Sequence, residues 1–356
     1  MDTRIDFLSW LQGDLAFHIL AYLDDPVDII HASNVSRFWR HFVITNGVSK
    51  QMCLKKLPQL SNVECIIESK RGSTNTGSIG DAELELYKRE HTVYASLLQA
   101  LNKSTLSSRS CIEKAVGASS TDNYPYESII KTLIPRDRFD DSGSYWSSVG
   151  QSDPAIPETL IYKLRANVCV ITEIKIRPFE AFFEQGKPIY SAEFVRFRTG
   201  HPKSASMIEK DLVYLPLQQP ADDKFVWTYT SQHFPMVQEN RLQEFKLPEP
   251  ILCIGGFLQI ELSGRVQRNK SDCLFYICVA HIRVIGHPLF PAFDQGMLEP
   301  SEKILLKYYP EALRQTLQKT SDGEGNGNTR VLTLDGGPWG TDGIAQFEYD
   351  YDAIDF

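Results

Sequence analysis

The sequence predicts an α+β chain of more than one domain, a small helical head followed by an antiparallel β-sandwich or barrel. Three observations predict it. Apolar residues recur at three- and four-residue steps through residues 1–57. Short β-branched and aromatic runs, separated by Gly, Pro and Asp turns, fill residues 111–290 with no helical pattern between them. The length of 356 residues corresponds to about two domains at roughly 150 residues each.

The elements follow in chain order. Leu8, Leu11, Leu15, Ile19 and Leu23 form one stripe of an amphipathic helix. Asp24-Asp25-Pro26 ends it and starts another, with Asp25 as N-cap and Pro26 at the first helical position, where a missing N–H costs nothing. Val27, Ile29 and Ile30 supply the next apolar face. Asn34 and Ser36 break that pattern, and Val35, Phe38, Trp39, Phe42 and Val43 open a third helix that Gly47 ends. A last short helix is expected from Val48 to Leu57. Residues 58–80 carry a polar run from Ser69 and read as a loop, and a helix is expected over 81–102. Strands are expected at Val168 to Ile176, Ala192 to Arg198, Phe225 to Tyr229, Ile251 to Leu262, Leu274 to Ala280 and His281 to Ile285. Gly255-Gly256 interrupts the fourth of these, where a bulge is expected. Residues 291–320 read as a C-terminal helical segment, broken at Pro310. Residues 321–356 read as a flexible acidic tail: from Val331 on there are six acidic residues and no Lys or Arg.

Composition bounds the function. Hydrophobic residues make up 42% and charged residues 23%, as in an ordinary globular protein. The net charge of −8 disfavours nucleic-acid binding through bulk positive charge. Seven scattered cysteines, none in a C-x-x-C pair, read as free thiols in a reducing compartment. No apolar run approaches the ~18 residues of a membrane span, and the N-terminus, with Asp2, Asp6 and Asp14, lacks a signal-peptide core. The expected location is cytoplasmic, nuclear or both. Phosphate-loop, dinucleotide, zincin and serine-hydrolase motifs are absent, and the eight histidines are spread along the chain. No cofactor or metal is expected, and the chain reads as a binding protein rather than an enzyme.

The head carries a family resemblance. FLSWLQGDLAFHILAYLDDPVDIIHASNVSRFWRHFV (7–43), followed by VSKQMCLKKL (48–57), resembles an F-box, here a three-helix unit over residues 1–57. The parts that match are Ile19-Leu20-Ala21-Tyr22-Leu23-Asp24, Pro26, Asp28-Ile29 and Val35-Ser36-Arg37-Phe38-Trp39-Arg40; Trp10-Leu11-Gln12 stands where the family has a Leu-Pro opening. The resemblance implies that Leu11, Leu15, Ile19, Leu20, Leu23, Pro26, Val27 and Ile29 face a Skp-type adaptor, which links to the cullin and RING subunits of a ubiquitin ligase. It also leaves Trp39 as a core residue of the head. The physical reading agrees, because about 50 residues are too few for a large core and the apolar stripe suits docking on a partner. The alternative is that the stripe packs on this chain's own sandwich.

The body, 111–290, is similar to a galactose-binding-like jelly roll of the discoidin kind. Ala118-Ser-Ser-Thr-Asp-Asn-Tyr-Pro125, Tyr145-Trp-Ser-Ser148, Glu158 to Leu164, Ile171 to Arg177 and Val279 to Gly286 carry that order. With FPMVQEN (234–240) and YICVAHIRVIG (276–286), head and body together resemble a family of plant F-box proteins. In such a sandwich, loops at one end carry binding. Two loops, Asp122 to Tyr126 and Phe179 to Tyr190, place aromatics near Pro or Gly turns, so Tyr124, Tyr126, Phe182, Phe183 and Tyr190 are the candidate substrate-binding residues. Core packing is the competing role for Phe179, Phe182 and Phe183, and Trp146 and Trp227 read as core. Arg196 and Arg198 share a strand face and are expected to pair with nearby acids.

The expected function is substrate receptor of an SCF-type ligase, with an unknown target held by the sandwich. The alternatives are a carbohydrate- or glycoprotein-binding module and a non-ligase scaffold or transcription cofactor.

Overall fold

The computed structural model describes residues 10–68, 79–102, 110–139, 142–203, 224–298 and 303–315. The tail expected over 321–356 lies outside the described residues, as do Leu8 and the first nine positions.

The head is built from α1 (Gly13–Ala21), α2 (Pro26–Val35), α3 (Arg37–Thr45) and α4 (Val48–Lys56). Asp25 Oδ1 accepts from the Val27 N–H at 2.8 Å, the N-cap expected from Asp-Pro. Ser36 does more than break α2: its Oγ accepts from the Trp39 N–H at 3.2 Å and caps α3. Gly47, with φ +61°, takes the left-handed conformation that joins α3 to α4 without strain. Leu20, Ile29, Val43, Val48, Met52 and Cys53 form the inside of the head, while Trp39 is only half-buried. A 3-10 turn (Pro58–Asn62), strand β1 (Val63–Glu68) and the long helix α5 (Ile79–Asn102) follow.

The body is an antiparallel sandwich. Its strands are β2 (Ile112–Ala118), β3 (Trp146–Ser147), β4 (Glu158–Leu164), β5 (Val168–Glu180), β6 (Ala192–Pro202), β7 (Phe225–Thr230), β8 (Gln243–Ile254), β9 (Phe257–Arg265) and β10 (Cys278–Pro288). One sheet has the order β7-β6-β9-β4-β2 and the other β8-β5-β10-β3, with every one of these pairings antiparallel. Alternate residues face inward. Leu258, Ile260 and Leu262 of β9 and Val195 and Phe197 of β6 meet Ile174 and Ile176 of β5 and Ile282 and Val284 of β10, with Trp146 among them. Trp227 lies instead on the outer face of the first sheet, stacked on Phe225 at 5.1 Å. Arg196 pairs with Glu261, its Nη2 2.6 and 2.8 Å from the two carboxylate oxygens.

Three local expectations are corrected. Gly255-Gly256 is not a bulge inside one strand. It is the corner that carries the chain from β8 in one sheet to β9 in the other, with φ +110° and +70°. A Cβ at position 255 would lie 2.3 Å from His201 Cβ, so only glycine fits the corner. Residues 291–320 are not a helical segment: β11 (Phe293–Leu298) and β12 (Lys303–Tyr308) occupy most of the described part, and only 310–315 is helical. Residues 58–80 are not all loop, because β1 pairs in parallel with β12, and β12 pairs antiparallel with β11, in a third sheet. Ile304, Leu305 and Leu306 are all buried. A short continuous apolar run of this kind cannot be told from a helix by periodicity.

Helix α5 ties the head to this third sheet. Toward the head, Lys50 pairs with Glu90 at 2.6 Å, Ser49 Oγ lies 3.1 Å from His91 Nδ1 and Cys53 Sγ donates to the Tyr94 carbonyl at 3.3 Å. Toward the sheet, Ser96 Oγ and Tyr308 Oη are 2.8 Å apart, and Tyr308 stacks on Phe293. Gln59 Oε1 accepts from the Leu252 N–H at 3.3 Å, a direct bond to the sandwich. The described residues through Gln315 form one compact unit.

Two histidines, His287 buried and His91 half-buried, are expected to make the fold acid-sensitive. Burial lowers His287 to about 4, and neither of its ring nitrogens has a hydrogen-bond partner. Burial, with Arg40 nearby, lowers His91 to about 4. Below the ordinary histidine value of about 6.5 the unfolded chain binds more protons than the folded one, so the stability present above that pH falls on acidification toward about 4. The slope is up to about 1.4 kcal/mol per pH unit for each histidine. Melting temperatures from pH 7 to 4.5 should fall less steeply in His91→Gln/His287→Leu; an identical slope contradicts the assignment.

Candidate functional site

On α1 the apolar stripe divides into two faces. Ala16 and Leu20 are buried in the head, whereas Leu15 and Ile19 are 53% and 41% exposed. Tyr22 lies three residues beyond Ile19 on the same side of the helix and is 76% exposed. Trp10, just before the helix, is 78% exposed. Leu11, Leu23 and Val27 are half-buried beside this face, and Pro26 opens α2. Leu20 and Ile29 are therefore corrected: at 2% exposure each, they hold the head together and do not belong to the exposed face. Between α1, α2 and α4 lies an open pocket of about 160 Å³ lined by Leu20, Leu23, Ile29, Met52 and Lys55. Lys55 is held by Asp24 at 2.7 Å, a bond that keeps the Asp24 carboxyl below its usual range.

At one end of the sandwich, the loops after β2, β5 and β9 converge on a layer of aromatics. Tyr145 stacks on Phe179 with ring centroids 3.7 Å apart and donates to Glu127 at 2.7 Å. Phe183 approaches Phe179 at 6.1 Å and Phe182 at 5.3 Å. Tyr190 donates to Glu184 at 2.9 Å and meets Tyr276 edge-on at 6.2 Å. Tyr276 donates to Asp272 at 2.5 Å. The small side chains of Ala181, Cys278 and Ala280 lie beneath them. Burial pushes the Cys278 thiol up, and Glu127, Glu184 and Asp122 push it further. Burial also raises the Asp122 and Glu127 carboxyls, with Asp272 adding to Asp122 and Asp122 adding to Glu127, against the lowering Tyr145 bond at Glu127.

Of the five residues expected here, Tyr124, Tyr126 and Phe183 are exposed at 60%, 74% and 57%. Phe182 is half-buried beneath the Arg138 guanidinium, 4.3 Å from its ring centre. Tyr190 is corrected: it is 3% exposed and packs under the loop, where it positions Glu184. Sequence reasoning missed Tyr145, Tyr276, Glu127, Glu184 and Asp272, which no local spacing connects.

A buried ion pair anchors this end. Arg265 and Glu158 are paired with side chains 0% and 3% exposed. Arg265 also donates to Ser148 Oγ (2.8 Å) and to the carbonyls of Val149 (2.9 Å), Phe275 (3.0 Å) and Ile156 (3.2 Å). Glu158 accepts from Ser119 Oγ at the start of the first loop. One guanidinium thus fixes three of the segments that frame the aromatic layer.

The chain is 46% identical over 310 residues to F-box protein At4g00755 of Arabidopsis thaliana, a match spanning 85% of this chain and 82% of that protein. The chain belongs to the F-box proteins. No protein-family model matches it. Among solved structures it is more distantly similar to the family 32 CBM from C. perfringens NanJ in complex with galactose (TM-score 0.31, 11% identity, 48% of this chain and 97% of that one). It is likewise similar to a fucolectin from striped bass, Morone saxatilis (0.32, 12%, 53% and 54%). Allantoicase from Saccharomyces cerevisiae matches with TM-score 0.33 and 14% identity over 51% of this chain and 47% of that one.

In this F-box protein two glycines shape the aromatic end. A Cβ at Gly143 would lie 2.6 Å from the Tyr145 ring, and one at Gly150 2.6 Å from the Tyr276 ring. Gly150→Val is expected to displace Tyr276 at a cost of about 1–3 kcal/mol, the usual range for overpacking. A lowered melting temperature with an altered near-UV tyrosine signal is the expected result; an unchanged spectrum contradicts the contact.

Proposed function

We propose that the protein is the substrate-receptor subunit of an SCF-type ubiquitin ligase, working in the cytoplasm, the nucleus or both. The observation that carries this is the exposed Leu15–Ile19–Tyr22 face on the head of a chain that belongs to the F-box proteins. A soluble head exposes such a band where it has a partner to cover it. The partner is a Skp-type adaptor, and through it a cullin and a RING subunit. The protein performs no covalent step itself. Its body holds the target while the assembly brings a ubiquitin-charged enzyme near, so that the acceleration comes from effective concentration. Affinity purification of the full chain tests the reading: adaptor, cullin and RING subunit should be recovered together. Recovery of adaptor without cullin favours the non-ligase scaffold.

A second reading concerns the target. Tyr124, Tyr126 and Phe183 are exposed aromatics of the kind that stack on a sugar, so a glycoprotein is the alternative class of target. A glycan array probed with the full chain decides it, a blank array counting against sugar recognition.

A further inference from the structure

We propose that the aromatic end of the sandwich is a docking surface for a basic segment of a partner protein, one that presents arginine or lysine side chains. This deepens the receptor reading and rests on it for the role of the body. The surface is defined by Tyr124, Tyr126 and Phe183, three large aromatics more than half exposed on loops that meet at one end of the fold. Their neighbours select the charge of what covers them. Glu127, Glu184 and Asp272 each take a hydrogen bond from a tyrosine, a neutral donor that leaves the negative charge in place. Among the described residues none of these three carboxylates, nor Asp122, is held in an ion pair. The acids also feel one another, since Asp272 acts on Asp122 and Asp122 on Glu127. A cation brought among them relieves that repulsion, and an acidic partner worsens it.

The same surface already accepts a guanidinium from its own chain. Arg138 lies over the Phe182 ring at 4.3 Å. Phe183 meets Phe182 edge-on at 5.3 Å and remains exposed, so it offers a further ring beside an occupied one. Cation–π contact, combined with a charge-assisted bond to Glu184 or Glu127, suits arginine above other side chains. A neutral sugar would stack on the rings and donate hydroxyl hydrogen bonds to the carboxylates, but it would bring no positive charge to offset theirs.

The test is fluorescence anisotropy of the full chain with a labelled arginine-rich peptide and an aspartate-rich peptide of equal length, at low and at physiological salt. The arginine-rich peptide should bind, weaken as salt rises, and lose at least about ten-fold in affinity in Tyr126→Ala/Phe183→Ala and in Glu184→Gln. Glu184→Gln removes the charge and keeps an acceptor for Tyr190. Tyr126 and Phe183 are exposed, so their removal leaves the core intact. Failure of the arginine-rich peptide to bind, equal binding of both peptides, or indifference to these variants overturns the proposal. So does a galactose-terminated glycan that binds this surface where the peptide does not. The assay contains no adaptor, so its failure is distinguishable from failure of the head to assemble with one.

Discussion

Leu15→Asp/Ile19→Asp is expected to abolish co-purification with a Skp-type adaptor while leaving the protein folded. Both side chains are largely exposed, so charging them costs the isolated head little. In the complex each becomes a carboxylate driven into an apolar contact. Central apolar anchors are worth about 2 kcal/mol or more each when removed, so the pair should cost about 4 kcal/mol, a thousand-fold in affinity. Leu20→Asp serves as the contrast. Leu20 is 2% exposed, and a charge there should unfold the head, so any loss of binding would be indirect. Circular dichroism separates the two cases, and retained binding in the folded Leu15→Asp/Ile19→Asp protein contradicts the assigned face.

The second large effect lies at Arg265. Arg265→Met leaves Glu158 buried without its cation, which costs about 3–5 kcal/mol. It also frees the carbonyls of Val149, Ile156 and Phe275. Trp146, fully buried with its Nε1 donating to the Ser120 carbonyl at 3.1 Å, reports on this region. Urea unfolding followed by tryptophan fluorescence should show a clear fall in the midpoint. The double variant Arg265→Met/Glu158→Leu should recover much of the loss, because removing both charges of a buried pair is far cheaper than removing one. A single variant with an unchanged midpoint contradicts the role given to the pair.

What was legible in the sequence follows from which signals are local. The Asp25-Pro26 cap, the Leu15 and Ile19 part of the α1 stripe and the helix expected over 81–102 come from neighbours in the chain, and the structure has them, the last running from Ile79 to Asn102. The alternation at the end of Val168 to Ile176 and in Ala192 to Arg198 likewise marks the sandwich strands β5 and β6. The third sheet was not legible. β1 and β12 come from opposite ends of the described chain, and the buried Ile304-Leu305-Leu306 run looks like a helix face until its partner is known. The F-box resemblance groups Leu20 of α1 and Ile29 of α2 with Leu15 and Ile19, and neither it nor periodicity says which of these apolar residues point inward. Tyr22 could have been found, standing three residues after Ile19 on the same side of the helix. At the far end of the body, the exposed Tyr124, Tyr126 and Phe183 were readable from turn composition. Their carboxylate neighbours were not, because Glu127, Glu184 and Asp272 meet only when three loops fold together.

The central claim is that the head joins this chain to a ligase. Size-exclusion chromatography of the purified full chain mixed with a Skp-type adaptor and a cullin–RING pair tests it most directly. The account predicts one co-eluting complex containing all four proteins, dependent on the adaptor and lost in Leu15→Asp/Ile19→Asp. Elution of the full chain apart from the adaptor, or with the adaptor but never with the cullin, would contradict it.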